Sequence, residues 1–321
     1  MKSLARALAA LLAAASAGAA LAQAFPTKPV RIVIAFPPGG PIDIVTRPVA
    51  QKLTDALGQP FIIDYKPGGN AMIGADYVAK SPADGYTLLT ISSGYTINPS
   101  TQKTMPYDTL RDLTAVAPIG RSHIIVIVHP SLPVRNIPDL VALARKQPGK
   151  LNFASSGTGG SLHLGGELLK VVAGIEMTHS AYKGAGPALT DVVAGTADLA
   201  FIAAPPAVPM IKAGKVRLIG VASLERAASF PDTPTVAEQG FPKFEVSSGY
   251  GLVTRAGSPA AAINRINAAM KGIVAMDDIK SLFARASVEP WHLTPAGLQG
   301  WINEEVEKWQ KVTKAIKYQS E

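Results

Sequence analysis

Val30 to Phe36 (VRIVIAF) is a nearly continuous apolar run cut by Pro37-Pro38-Gly39-Gly40-Pro41; Ile42 to Leu57 then shows helical apolar spacing, stopped by Gly58. A short β-branched run without polar alternation fits a strand buried on both faces, and proline with glycine marks where it must turn. The unit recurs. Phe61 to Tyr65 (FIIDY) leads through Lys66-Pro67-Gly68-Gly69 into a helix over 70–80, and Thr87 to Ser92 (TLLTIS) ends in Ser93-Gly94-Tyr95. After an irregular stretch from Asn98 to Asp112, a second series follows: Ile124 to Val128 with a helix over 137–147, Leu151 to Ala154 with one over 162–172, and His179 to Tyr182 with one ending at Gly195. Leu199 to Ala203 and Val216 to Ala222 close it. Strands alternating with helices predict α/β units with parallel sheets. From Phe244 the chain reads extended to Val253, then as two helices, Pro259 to Ala286 with a weak point at Asp277-Asp278, and Thr294 to Ile316. Thr294-Pro295 is an N-cap and first-turn pair.

Composition narrows the class. With 47% hydrophobic and 17% charged residues the 321-residue chain can bury a large core, which excludes disorder and coiled coil. It has no cysteine, so disulfides, thiolate metal sites and cysteine nucleophiles are out. Lys2 and Arg6, the apolar run Ala7 to Leu21 and Ala22-Gln23-Ala24 read as a signal peptide over 1–24, cleaved near Ala24 or Ala22, which places the mature protein in the periplasm. The formal charge of +8 fits an anionic ligand, but the lysines are scattered. Nucleic acid is a poor partner, because no basic cluster is interleaved with aromatics.

Five turns fall at the carboxyl ends of predicted strands: 36–41, 66–70, 92–96, 154–161 and 182–187. Ligands bind at this edge of open parallel sheets, and four of the five turns lead directly into helices whose first N–H groups lack partners. Such termini attract anions. Pro38, Gly39 and Gly40 in the first turn, Gly157 in the fourth and Gly184 and Gly186 in the fifth offer backbone; Ser92, Ser93, Ser155, Ser156 and Thr158 offer hydroxyls. His163 stands either as a ligand contact or as a hydrogen-bonding brace for the 155–160 loop. Asp43 and Asp198 are helix caps, braces or ligand partners. Enzyme signatures fail: dinucleotide, P-loop, zinc-protease and nucleophile-elbow spacings are absent. One SxxK, Ser100 to Lys103, lacks companion motifs and leaves a serine hydrolase as a minor rival. No cofactor or metal is expected, since the histidines never sit at ligand spacing with a carboxylate.

FPPGGPIDIVTR at 36–47, Asp84-Gly85-Tyr86-Thr87, Asn98-Pro99, Tyr182-Lys183-Gly184, Gly195-Thr196-Ala197-Asp198 and Pro234-Thr235-Val236 together resemble the tripartite tricarboxylate transporter solute receptors, the Bug or TctC-like proteins. The resemblance implies a type II, two-lobed Venus flytrap, each lobe a mostly parallel sheet flanked by helices. Lobe 1 would be 25–121 with 246–321, lobe 2 would be 122–245, and the crossovers would lie near 122–128 and 246–253. It implies capture of a small carboxylate, no catalysis, and delivery to a membrane permease, with presentation to a sensor kinase ectodomain as the alternative. It adds Ile42, Tyr95, Asn98 and Tyr182 to the candidate contacts. Against the family pattern, Ile42 replaces a small hydroxyl residue, Tyr65 an asparagine and Gly249 a tryptophan. Those changes predict a roomier, less polar cleft and a bulkier aromatic or medium-chain carboxylate.

Overall fold

The computed structural model describes residues 25–318 apart from Lys183. The signal-peptide reading therefore falls outside the described residues. The fold is α/β and two-lobed, organised on two sheets that share one strand. β1 (Val30–Ile34), β2 (Phe61–Tyr65) and β3 (Thr87–Ile91) run parallel, with β1 between the other two. β4 (Leu113–Val128) spans 16 residues; its first part pairs antiparallel with β9 (Ser247–Arg255) and β10 (Val288–Pro290), and β9 in turn pairs antiparallel with β3. The last part of β4, from Ile124, belongs to the second sheet. There it pairs antiparallel with β7 (Leu199–Ala203) and β8 (Arg217–Val221), while β5 (Asn152–Ser155) lies parallel to β7 and β6 (Thr178–Ala181).

The sheets are mixed but most strands of each share one direction, as expected: β9 and β10 run against β1, β2, β3 and β4 in the first, and β4 runs against β5, β6, β7 and β8 in the second. Periodicity reports burial, and burial is the same for either strand direction. The crossover strand also starts earlier than expected, at Leu113: Thr114 and Pro118 break up the β-branched run, and the pairing with β9 continues past them through register shifts at Ala115/Ala117 and Pro118/Gly120.

Both faces of each sheet are covered, which explains the apolar runs. In β1, Val30, Ile32 and Ile34 join one core cluster while Val33 and Ala35 join another on the opposite face. In β4, Ile124, Val126 and Val128 face one way and Ile125 and Ile127 the other. The helices expected from spacing form, and those at Ser93–Thr101 and Ala204–Lys212 are additional to them. α1 (Pro41–Leu57) buries Ile42, Val45, Val49 and Leu53 and ends at Gly58, where φ is 72° and the N–H closes on Thr54 O at 3.0 Å. α2 (Met72–Ala79), α3 (Ser93–Thr101), α4 (Ile137–Lys146), α5 (Ser161–Ala173), α6 (Ala185–Ala194) and α7 (Ala204–Lys212) follow their strands. The long helix expected near the end breaks at Ala275–Met276 into α8 (Ala260–Val274) and α9 (Asp277–Arg285), with Asp277 and Asp278 in the new first turn where the macrodipole favours them. In α10 (Pro295–Ala315), Thr294 accepts from Gly297 N at 3.1 Å, as the cap reading requires. Among the described residues no helix is long and apolar enough to cross a membrane.

Gly166 lets α5 lie on β5, since a Cβ there would stand 2.3 Å from the Phe153 ring. Ala normally stabilises a helix by about 1 kcal/mol over Gly. Here overpacking, typically about 1–3 kcal/mol, wins. Urea unfolding is expected to show Gly166→Ala less stable than wild type, and Gly272→Ala, at an exposed helix position with nothing within 4 Å, more stable by about 0.5–1 kcal/mol.

Candidate ligand-binding site

All five turns open onto helices, including the 92–96 turn, which begins α3. Four of those helix starts share a ψ near 180° at the residue before the helix, reached with negative φ at three of them and with φ 113° at Gly184. Gly40, Ser92, Gly160 and Gly184 precede α1, α3, α5 and α6 with ψ at 171°, −173°, 171° and 170°, and none has a side-chain cap hydrogen bond. The first-turn N–H groups therefore point out of the helix with no side chain taking them up. The KPGGN turn differs: Ile73 packs over Gly68, and Asn70 and Ala71 adopt positive φ, so α2 does not present the same end. At the start of α7, Pro205 and Pro206 remove two donors.

Strand neighbours bring the four starts together. β1 and β3 are adjacent and parallel, as are β5 and β6, so each sheet contributes two helix ends from one edge. Gly184 N donates to Ser156 O at 3.2 Å and ties the second sheet's pair of turns to each other. The two sheets' edges meet where Ser93 Oγ, at the start of α3, lies 3.0 Å from Ser161 Oγ, at the start of α5. A Cβ added at Gly39, Gly160 or Gly184 would find nothing within 4 Å, so these turns present bare backbone.

Buried polar side chains hold the turns from behind. Asp43 accepts from Gly39 N at 2.8 Å, Arg47 Nε at 2.9 Å and Tyr65 OH at 2.6 Å, and Arg47 also donates to the Tyr65 hydroxyl. Burial alone would raise this carboxyl; the Tyr65, Gly39 and Arg47 donors outweigh it and hold it below its ordinary value. Asp43 braces the PPGG turn, and Tyr65 completes the brace instead of reshaping the cleft. Asn98, fully buried, donates to Asn70 O at 2.9 Å and accepts from Asn70 Nδ2 at 2.8 Å, which staples α3 to the KPGGN turn.

In the second sheet Ser155 Oγ is fully buried and donates to Gly157 O at 2.9 Å, with His179 Nε2 at 2.7 Å. One hydroxyl proton cannot serve both, so the His179 Nε2–H donates to Ser155. This serine–histidine pair is a strut, because no substrate can reach the hydroxyl. His163 Nδ1 accepts from Gly159 N at 3.0 Å, its ring stacks on His179 at 3.9 Å, and Glu167 lies 3.8 Å from Nε2. The brace reading of His163 holds. His179 escaped the sequence reading; its signal was its place opposite Phe153 on the strand beside β5.

Several expected contacts lie elsewhere. Ile42 is in the core with Ile34 and Val45, and Tyr95 is buried with its hydroxyl on Thr109 O at 2.8 Å; each follows the buried face of its helix. Asp198 precedes β7 at the amino edge and accepts from Asn152 N at 2.8 Å, one strand length, about 10 Å, from Ser155. Tyr182 donates to Asp191 at 2.7 Å on the flank of α6. Pro38, Gly39, Thr158 and Gly186 are exposed, and Ser92, Ser93, Ser156, Gly157 and Gly184 are half-buried at the turns. Gly249 opens no extra room: a Cβ there would stand 2.6 Å from Trp301 and 3.4 Å from Trp291, so those rings fill the space of the missing tryptophan. Ser100 donates to Ile97 O at 2.8 Å, a helical back-bond, and Lys103 is exposed past the helix end. Among the described residues no group of three or more histidine, aspartate or glutamate side chains is placed to hold a metal ion.

Residues 45–318 match the tripartite tricarboxylate transporter family receptor. The chain belongs to this family. It is 35% identical over 291 residues to the protein in the tcbD–tcbE intergenic region of Pseudomonas sp. (strain P51), covering 90% of this chain and 87% of that one. BugT of Bordetella pertussis is 31% identical over 295 residues, covering 91% and 90%. Among solved structures, the R. palustris protein Rpa4515 with adipate superposes with TM-score 0.83 at 32% identity, over 92% of this chain and all of that one. MatC of Rhodopseudomonas palustris with bound malate gives 0.78 at 27% identity, over 90% and 99%. The family is one of receptors of the tripartite tricarboxylate transporters.

The histidine pair predicts an acid sensitivity. Burial, with the Lys170 charge, pushes His163 down to about 4; burial, with His163 and Lys170 outweighing Glu167, does the same to His179. Above the ordinary value of 6.5 both states are neutral and the contribution is intact; as pH falls from 6.5 to about 4 the unfolded chain takes up protons that the fold refuses. Stability is expected to fall across that window by up to two protons' worth of slope. His163→Asn/His179→Gln, which keeps an acceptor and a donor in place, should flatten it; equal slopes in urea unfolding would refute the assignment.

Proposed function

We propose that this chain is a periplasmic receptor that captures a small carboxylate, dicarboxylates foremost, between its two lobes and delivers it to a membrane permease of the tripartite type. The observation that carries the reading is the meeting, at Ser93 and Ser161, of uncapped helix starts from both sheets. Each start offers a first turn that no side chain caps and the positive end of a helix dipole. Donors from two lobes suit a ligand with an anionic group at each end, and relatives with adipate or malate are of that kind. Because Ile42, Tyr65, Tyr95 and Gly249 do not shape the cleft, nothing in them favours an aromatic ligand. No arginine is among the residues of these turns, so binding rests on backbone amides and hydroxyls, which strengthen once closure excludes water.

In this reading lobe 1 comprises 25–121 with 246–321 and lobe 2 comprises 122–245, and the hinge lies where β4 passes from one sheet to the other and where the chain returns into β9. Pro38, Gly39, Gly40, Ser92 and Ser93 supply one wall. Ser156, Gly157, Thr158, Ser161 and Gly184 supply the other, with Asp43, Asn98, Ser155, His163 and His179 as braces. Export follows from the residue 1–24 signal, cleaved near Ala24 or Ala22.

Thermal unfolding against adipate, malate, citrate, benzoate and an uncharged sugar tests the ligand class. A carboxylate at 100 times its dissociation constant should add about 2.7 kcal/mol. Stabilisation by the sugar alone would overturn the reading. Gly40 and Gly160 have φ of −77° and −87° and open space beside them, so Gly40→Val and Gly160→Val should lose binding at least about 100-fold at unchanged melting temperature. Gly157, at φ 141°, is a poorer probe because valine there strains the backbone. Lys103→Ala should bind as wild type does.

A further inference from the structure

α10 begins in one lobe and ends against the other. Leu298 and Ile302 sit in the cluster beneath β3 and β9, whereas Trp309, fully buried, and Val312, Ile316 and Tyr318 pack in the cluster of Phe153, Leu162 and Phe201. The helix closes with Lys317 in the left-handed region at φ 50°, Lys317 N on Lys314 O at 3.2 Å and Tyr318 N on Thr313 O at 2.9 Å. That is a Schellman closure with lysine where glycine normally stands, in a left-handed conformation that is unfavourable for a side-chain-bearing residue. It turns Tyr318 back onto the 155–161 loop. A Cβ on Gly159 would stand 2.8 Å from the Tyr318 hydroxyl and 3.6 Å from Thr101, so Gly159 runs between the tyrosine and α3. The Tyr318 ring lies 6.1 Å from that of His163, whose Nδ1 takes the Gly159 N–H.

We propose that Tyr318 is a positioning residue for ligand capture: it covers the Gly159–His163 hydrogen bond and so holds the loop in the shape that presents the α5 helix start to the cleft. Its effect on binding rests on the receptor reading above; its effect on the loop does not. The strained closure at Lys317 and the close approach at Gly159 are independent observations that converge on this one ring. The last turn of a helix anchored in lobe 1 then sets the geometry of a loop in lobe 2.

Tyr318→Ala, and a chain ending at Lys317, should each leave the far-UV spectrum unchanged. In the ligand-free protein, Gly159 amide exchange should speed up at least about tenfold, and the His163 ring, followed by NMR, should titrate above its buried value of about 4, toward 6.5. Adipate affinity should fall at least about fivefold. Unchanged Gly159 exchange and His163 titration in both variants would overturn the inference, as would a loosened loop with undiminished affinity. If the wild type binds no carboxylate, the receptor reading fails while the exchange and titration data still decide what Tyr318 does to the loop. Gly160→Val separates the two further: it should lose binding yet keep wild-type His163 titration.

Discussion

Backbone N–H groups in the first turn of a helix have no carbonyl to pair with, and this architecture follows from where those groups are put. A parallel strand–turn–helix unit delivers its helix start to the carboxyl edge of the sheet. Two adjacent units in each sheet deliver two starts each, and β4, shared by both sheets, with β9 beside it, sets the edges face to face. Extended residues at 40, 92 and 160, and Gly184 at φ 113°, leave the helix starts without a side-chain cap. In the proposed receptor reading these donors form an anion cradle built from backbone amides and hydroxyls, with selectivity set by amide geometry.

An uncapped turn is soft, and the protein stiffens each one from behind with buried polar groups. Asp43 draws Gly39, Arg47 and Tyr65 together, Asn98 and Asn70 exchange hydrogen bonds, and Ser155, His179, His163 and Gly159 form a linked series under the second loop. Fully satisfied networks of this kind specify a single loop shape, because any member left unpaired in the interior is costly. The same buried setting keeps the two imidazoles neutral.

Much of this was legible in residue order. The β-branched runs, the Pro/Gly turns and the Thr294 cap gave most of the elements, since a strand buried on both faces and a helix with one apolar stripe leave distinct periods, but not α3, α7, β10 or the first part of β4. Most strands of each sheet run one way, as expected, but which strands oppose them, β9 and β10 in the first sheet and β4 in the second, was not legible, because periodicity reports burial and not direction. Among the site residues, the glycines and serines of the turns stood where a local reading puts them. Ile42 and Tyr95 did not, because membership of a turn motif does not say which face of the following helix is buried. Asp198 belongs to the opposite edge, a fact that appears only once β7 is set in register against β5.

The substitution pattern teaches the same lesson. Gly249 reads as a lost aromatic ring and an enlarged cleft, yet Trp301 and Trp291, more than 40 residues later, occupy that space. Residue order alone established the α/β class, the turns that carry the donors and the family resemblance, because each is a local property of short segments. Which strands run antiparallel, which polar side chains brace and which face the cleft, and the reach of Tyr318 from the end of the chain to Gly159 were decided by packing. Those are contacts between residues far apart in the chain, and only the closed backbone fixes their distances.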